Sequence, residues 1–160
     1  MTPEPDSILR EFAPGLARVA ASYEADRMLR DDLLQDIMLA IHVALPNLRD
    51  PQKIAPFVFR IAHNRGVAHV IAERRRRLAP SPVPEAAAGP EDLLLDADRR
   101  GRLLAAVRRL PLPYRQVLTL LLEELSHADI AEALGLTVGN VAVRVNRAKA
   151  MIREMLDDTD

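Results

Sequence analysis

The sequence predicts an all-α fold made of two small helical domains, a prediction that depends on three observations. The 160 residues are only 3% aromatic, and they are rich in Ala, Leu and Arg, which favour helices. No run of alternating β-branched residues lies between turn dipeptides, as strands would require. A stretch rich in Pro and Ala, residues 78–92, divides the chain. We therefore predict an N-terminal domain over residues 1–77, a flexible linker over 78–92 and a C-terminal domain over 93–160.

Three helices are predicted in the N-terminal domain. The first covers residues 7–23, where Pro14 and Gly15 are expected to kink or split it. The second covers residues 29–45, and the third begins between residues 51 and 56 and ends in an arginine run. Apolar spacing predicts the buried residues of the second and third helices. These are Leu33, Ile37, Ala40, Ile41 and Ala44, and then Ile54, Phe57, Val58, Ile61, Val67 or Ala68, and Ile71.

The C-terminal domain is predicted to hold four helices, at residues 92–109 and 113–124 and two in the segment 126–149. In that segment, Ser126 is a good N-cap, and Asp129 stands where a capping box usually has Glu. Gly135 suits the left-handed residue that ends a helix, and Thr137 can cap the next one. Caps and turn glycine together predict two short helices around a tight turn.

The last helix has a predicted inner and a predicted outer face. Helical spacing places Val141, Val145, Ala148 and Ile152 on one side, where they can join the core. The outward residues are then Asn140, Ala142, Val143, Asn146 and Arg147. This is the arrangement of a helix-turn-helix, whose second helix enters the major groove of DNA.

Charge is segregated along the chain although the net charge is only −1. Residues 137–153 carry four basic and no acidic side chains, and residues 60–77 carry six arginines against one glutamate. Eight carboxylates lie in the first 36 residues. Separate basic patches of this kind are suited to phosphate contact.

Several function classes receive no support from the sequence. The absence of cysteine excludes disulfides and thiolate-bound metals, and we expect a cytoplasmic protein without a signal peptide or membrane span. The four histidines are scattered, without the i, i+4 pairing beside a carboxylate that metal sites on helices use. There is no glycine-rich phosphate loop and no nucleophile elbow. We therefore predict no enzyme activity, no metal and no cofactor.

Taken in order, the segments DDLLQDIMLAI, PFVFRIAHN, ERRRR, LPLPYRQVLTL and VRVNRAKAMIREML resemble a known family. The sequence is similar to bacterial RNA polymerase sigma factors of the extracytoplasmic-function (ECF) class, in the sigma-70 family. The resemblance implies that the N-terminal domain, region two, binds the β′ coiled coil of polymerase and opens the minus-ten promoter element. It implies that the C-terminal domain, region four, reads the minus-thirty-five element and lies on the β flap. An anti-sigma protein is a further partner that the resemblance implies.

The resemblance also assigns residues in region two. Asp32, Gln35 and Asp36 match the block that contacts polymerase. Asn64 matches an asparagine associated with holding a base flipped out of the minus-ten strand, because an amide offers both a donor and an acceptor. Backbone charge for that strand would come from Arg60, Arg65, Arg74, Arg75, Arg76 and Arg77.

In region four the outward face of the last helix is assigned to the minus-thirty-five element. Arg147 suits guanine and Asn146 suits adenine, whereas Ala142 or Val143 could pack on a thymine methyl. Phosphate contact is expected from Arg144 and Lys149 and from the amides at the helix start near Thr137 and Val138. The full set is Thr137, Val138, Asn140, Ala142, Val143, Arg144, Asn146, Arg147 and Lys149.

The sequence departs from the family pattern at four positions. Phe57 stands where tryptophan is common and is expected to keep its buried role, while Ala68 replaces an aspartate. Ala142 and Val143 replace a basic residue and a serine, which implies a divergent minus-thirty-five preference. Two alternatives to a sigma factor stay open. One is an operator-binding helix-turn-helix regulator, and the other is a sigma-like protein that binds polymerase without melting DNA.

Overall fold

The computed structural model describes residues 4–78 and 99–157, and within these ranges the chain forms seven α-helices and no strand. The N-terminal lobe, residues 4–78, contains α1 (Pro5–Tyr23), α2 (Arg27–Ala44) and α3 (Ile54–Leu78). Two short 3₁₀ turns, Leu45–Asn47 and Pro51–Lys53, connect α2 to α3. Apart from Leu78, the predicted linker lies outside the described residues.

Helix α1 is continuous through Pro14 and Gly15, so the predicted split is wrong, while the predicted kink stays a prediction. Pro14 lies inside the helix on its exposed side, and Gly15 is buried. A Cβ atom at position 15 would lie 3.2 Å from Phe59 Cζ and 2.9 Å from Glu123 Oε1, so the glycine lets α1 approach its neighbours closely. This tertiary packing stabilises the helix through the proline, which a local rule does not take into account.

Helix α2 follows the prediction more closely. The Asp26 carboxylate accepts hydrogen bonds from the amides of Met28 and Leu29 and so caps the helix. Leu33, Ile37 and Ile41 are buried as predicted, while the two predicted alanines, Ala40 and Ala44, are half-buried.

The predicted buried face of α3 is only partly right. Of that set, Val58 is buried; Ile54, Phe57, Ile61 and Val67 are half-buried, and Ala68 and Ile71 are exposed. The residues that are buried instead include His63 and Gly66, which the apolar pattern did not select. Gly66 is buried because the ring of Tyr23 packs against it. The complete buried set is Pro56, Val58, Phe59, Ala62, His63, Gly66 and Val70.

The C-terminal lobe, residues 99–157, contains α4 (Arg99–Arg109), α5 (Leu112–Leu122), α6 (His127–Leu134) and α7 (Val138–Asp157). Helix α5 has Pro113 in its first turn, as predicted. Residue Glu124, just after α5, has a positive φ of 68°, which turns the chain towards α6. The largest fully buried side chains of the lobe are Val107, Leu110, Val117, Leu120, Ile130 and Val141.

The two lobes pack directly against each other, an arrangement that the sequence did not predict. Helices α1 and α3 contact α4, α5 and α6, and the buried apolar residues of both lobes form one cluster. At the edge of this interface, Arg18 donates two hydrogen bonds of 2.6 Å to the Glu123 carboxylate. Arg108 donates a hydrogen bond of 2.7 Å to the backbone carbonyl of Ala21. Helix α3 therefore contributes to the core of both lobes.

We predict that Gly66→Ala destabilises the protein by about 1–3 kcal/mol, because overpacking strains a filled core. The added Cβ would lie 2.5 Å from Tyr23 Cδ2, and the ring has to move. The measurement is the free energy of unfolding in urea. Gly139→Ala is the matched control, since a Cβ there meets nothing within 4 Å and alanine favours the helix. Equal stability of the two variants would contradict the close packing of Tyr23 on α3.

Candidate nucleic-acid interface

The helix-turn-helix forms through the local interactions that the sequence predicted. Ser126 Oγ accepts a hydrogen bond of 3.1 Å from the amide of Asp129 at the start of α6. Gly135 ends α6 in the left-handed conformation, with φ at 68°. Thr137 Oγ1 accepts a hydrogen bond of 3.1 Å from the amide of Asn140 and caps α7. These contacts determine where α6 begins and ends and where α7 begins.

The inner and outer faces of α7 are those predicted. Val141, Val145, Ala148 and Ile152 are buried. On the outer side, the residues predicted to face DNA are exposed except for Ala142 and Arg144, which are half-buried. The exposed ones are Thr137, Val138, Asn140, Val143, Asn146, Arg147 and Lys149. The arrangement presents a short apolar patch, two amides and three cations on one helix.

The second predicted DNA surface lies on α3. Asn64, Arg65 and the arginine run at the end of the helix are exposed. Within the run, Arg76 donates a hydrogen bond of 2.8 Å to Glu73. Arg74, Arg75, Arg76 and Arg77 lie on the last turn of the helix, about three to four turns beyond Asn64.

Arg60, also predicted to contact DNA, binds the C-terminal lobe in this structure. Its Nε donates a hydrogen bond of 3.2 Å to the carbonyl of Ala133, and its Nη2 donates one to the carbonyl of Glu132. Both carbonyls belong to the last turn of α6, where a cation is favourable. Lys53 adds a 2.9 Å ion pair with the Glu132 carboxylate.

The predicted polymerase-contact residues lie together on α2. Asp32, Gln35 and Asp36 are all exposed. Asp36 is 3.7 Å from the Arg65 guanidinium, so an ion pair connects this surface to the side of α3 that is predicted to contact DNA.

Sequence reasoning missed two apolar residues on the same side of α2. Leu39 and Val43 are 63% and 67% exposed. Their spacing from Asp32 and Asp36 continues one helical stripe, because positions 32, 36, 39 and 43 repeat every three or four residues. That spacing was the available signal. We call these four residues the α2 stripe.

A buried hydrogen-bond chain between the lobes was also missed. The Tyr23 hydroxyl lies 2.5 Å from His63 Nδ1, and Thr119 Oγ1 lies 3.2 Å from His63 Nε2. Thr119 Oγ1 is also 2.9 Å from the carbonyl of Arg115, which can only accept, so we assign the threonine hydroxyl as its donor. His63 Nε2–H then donates to Thr119, and the Tyr23 hydroxyl donates to Nδ1. The chain therefore requires a neutral imidazole.

The surroundings keep His63 uncharged. The side chain is 1% exposed, and burial lowers its pKa to about 3. Burial likewise raises the pKa of the Tyr23 hydroxyl, so it retains the proton that it donates. The Arg115 guanidinium lies 5.6 Å from the centre of the Tyr23 ring, and burial lowers its pKa. Arg115 also donates to the carbonyls of Arg108 and Leu110.

Over residues 4–78 and 99–157, no group of three or more metal-ligating side chains is close enough to hold an ion. No helix there combines the length and the apolar character needed to cross a bilayer.

A helix-turn-helix lobe beside a second helical lobe with an arginine-rich exposed helix defines a transcription protein that acts on DNA. Comparison with known families identifies which class of transcription protein it is. The chain matches the model "Sigma-70 region 2" over residues 8–76 and the model "Sigma-70, region 4" over residues 100–152. Both matches lie inside the two predicted domains, whose bounds stay predictions.

Two relatives extend the match to most of the chain. RNA polymerase sigma factor SigZ of Bacillus subtilis is 30% identical over 133 residues, which cover 82% of this chain and 75% of SigZ. ECF RNA polymerase sigma factor SigD of Mycobacterium tuberculosis is 34% identical over 144 residues, 86% of this chain and 68% of SigD. The chain belongs to the sigma-70 family, in its ECF class. It is an RNA polymerase sigma factor that directs transcription initiation at promoters.

Solved structures of similar fold include two protein complexes. CnrH in complex with the cytosolic domain of CnrY matches with a TM-score of 0.71 at 23% identity, over 98% of this chain and 89% of CnrH. The sigma factor RpoE in complex with the anti-sigma factor NepR from Bartonella quintana matches with a TM-score of 0.71 at 20% identity. The match covers 95% of this chain and 96% of RpoE.

We predict that Thr137→Ala lowers the free energy of unfolding by about 0.5–2 kcal/mol, because the amide of Asn140 loses its capping acceptor. Thr137→Ser is the matched control, since serine keeps the hydroxyl. Denaturant unfolding of both variants measures the difference. Loss of the same stability in Thr137→Ser would show that the methyl group, and not the cap, holds α7 in place.

Proposed function

We propose that region two captures the opened minus-ten strand through the exposed face of α3. Asn64 would hold an extruded base, because its amide can both donate to and accept from a base edge. Arg65 and the arginine run would bind the backbone phosphates of that strand. The observation that supports this best is the exposure of Asn64 and of all five arginines on one helix.

Region four would read the minus-thirty-five element through α7. Arg147 and Asn146 would contact base edges in the major groove, and Val143 with Ala142 would contact a thymine methyl. Arg144 and Lys149 would bind phosphates, together with the amides at the helix start near Thr137 and Val138.

Core polymerase would bind the α2 stripe. Asp32 and Asp36 supply negative charge for a basic partner, and Leu39 with Val43 supply apolar area that is exposed in the free protein. We assign this surface, with Gln35 beside it, to the β′ coiled coil, and a surface of region four to the β flap. The chain itself carries out no chemistry in this proposal.

An anti-sigma protein is the further partner that we propose. It is supported by the fold shared with RpoE, which was solved with the anti-sigma factor NepR. Since RNA polymerase and promoter DNA are its proposed partners, we expect the protein to act in the cytoplasm.

The test of this function is run-off transcription with purified core polymerase and a library of random promoters. A sigma factor selects a promoter class and initiates transcripts from it. A sigma-like protein without melting activity would bind core and give transcripts only from pre-opened templates. An operator-binding regulator would bind DNA without joining core, and that result would contradict the proposal.

We predict that Arg147→Ala costs about 1–3 kcal/mol in promoter binding and relaxes selection at one base pair of the minus-thirty-five element. Lys149→Ala is the comparison, because loss of a phosphate contact should weaken binding to all promoter sequences alike. It should also reduce the slope of log affinity against log salt concentration by about one. Selection from the promoter library by each variant measures both effects. If Arg147→Ala selects the same bases as the parent, Arg147 does not read a base.

We predict that Asp32→Lys weakens binding to core polymerase about tenfold or more, because the substitution places a cation where the proposed basic partner docks. Asp31→Lys is the matched control, since Asp31 is also exposed but lies on another side of α2. Titration of labelled sigma factor with core measures both affinities. Equal weakening by the two variants would mean that net charge, and not this surface, decides binding.

A further inference from the structure

The packed arrangement of the lobes is incompatible with simultaneous contact to both promoter elements. Elements at minus ten and minus thirty-five are separated by roughly 25 base pairs, about 85 Å of B-form DNA. In the structure, Arg60 of the minus-ten group touches the last turn of α6, the helix that precedes the reading helix. Helix α6 has eight residues and is about 12 Å long. The lobes must therefore separate before both elements are bound.

Separation has to break the hydrogen-bond chain that crosses the interface. His63 belongs to the N-terminal lobe and Thr119 to the C-terminal lobe, and both are buried where their side chains meet across the interface. Opening the interface exposes the Nε2 side of the imidazole to water, where a histidine has a pKa of about 6.5.

Among the groups named below, which surround His63, none carries a negative charge that would stabilise a protonated imidazole. Helix α1 presents Tyr23, and α5 presents Thr119 with the Arg115 cation above the Tyr23 ring. The buried residues of α2 and α6 are apolar: Leu33, Ile37 and Ile41, and Ile130, Ala131 and Ala133. The hydrogen bond of 2.8 Å between another histidine, His69, and Glu24 lies within the N-terminal lobe and does not cross the interface.

We propose that the chain from Tyr23 through His63 to Thr119 is a pH-sensitive latch that holds the two lobes closed and that acidification releases. Its effect on promoter binding depends on the function proposed above, whereas the latch itself is a property of the isolated chain. In the closed state the imidazole is neutral, and in the open state it can take up a proton.

The sign and size of the effect follow from linkage. The pKa of His63 is depressed in the closed state, so closure is fully favoured above pH 6.5 and weakens as the pH falls from there towards 3. A group that titrates at about 6.5 when open and about 3 when closed lowers the closed-to-open ratio about tenfold between pH 7.5 and 5.5.

Single-molecule energy transfer on the purified chain measures this ratio. The sequence has no cysteine, so Asp31→Cys and Ala150→Cys, both exposed, place one dye on each lobe. A second series carries Glu123→Gln, which weakens the contact with Arg18 at the edge of the interface and raises the open population. The expected result is a tenfold fall in the closed-to-open ratio from pH 7.5 to 5.5.

Two substitutions separate the latch from general pH effects. His63→Gln keeps a donor and an acceptor but cannot titrate, so its ratio should not change with pH. His69→Gln should keep the tenfold change, because that histidine lies within one lobe. The NMR titration of the His63 ring, in a chain without dyes, should give a midpoint well below 6.5.

Three results would overturn the latch. One is a ratio that does not change with pH in the Glu123→Gln series, and another is a tenfold change that survives in His63→Gln. The third is a His63 ring that titrates near 6.5 in the whole chain. Because neither polymerase nor DNA is present, such a result leaves the promoter function standing. A failure of run-off transcription would in turn leave the latch standing.

Discussion

The packing of both lobes on α3 is the constraint on which the rest of the structure depends. This helix packs against α1 and α2 of its own lobe and also against α5 and α6 of the C-terminal lobe. Gly66 permits the close approach of Tyr23, and Tyr23 in turn reaches His63. The exposed remainder of the helix carries Asn64 and the arginines. A single helix thus joins the core of the protein to its proposed contact with single-stranded DNA.

Local sequence rules were sufficient where a structure is stabilised by neighbours in the chain. The caps at Ser126 and Thr137 and the glycine at position 135 are determined within a few residues, and the structure has all three. The inner face of α7 was predicted for the same reason, because its four buried residues follow helical spacing without interruption. Most of the helix-turn-helix could therefore be derived before any tertiary contact was known.

Tertiary contacts decided what the sequence did not predict. The continuity of α1 through Pro14 depends on packing, and the burial of His63 depends on residues 40 and 56 positions away in the chain. Periodicity treats a histidine as a surface residue, so it selected Ile71 for the core in place of His63. Which exposed side chains touch DNA or polymerase is a property of the complexes. For Asn64, Arg147 and Asp32 that role stays a prediction.

The apolar patch on α7 has a consequence for how discrimination responds to ionic strength. Val143 is 47% exposed on the face proposed to read bases, beside the half-buried Ala142. A methyl group that packs on thymine displaces water but no condensed counterions, whereas a cation on a phosphate releases them. Added potassium glutamate would weaken overall affinity through the cations and leave the preference for thymine nearly constant. Osmotic stress, which changes cellular ion content, would thus alter how tightly a promoter is held more than which promoter is chosen.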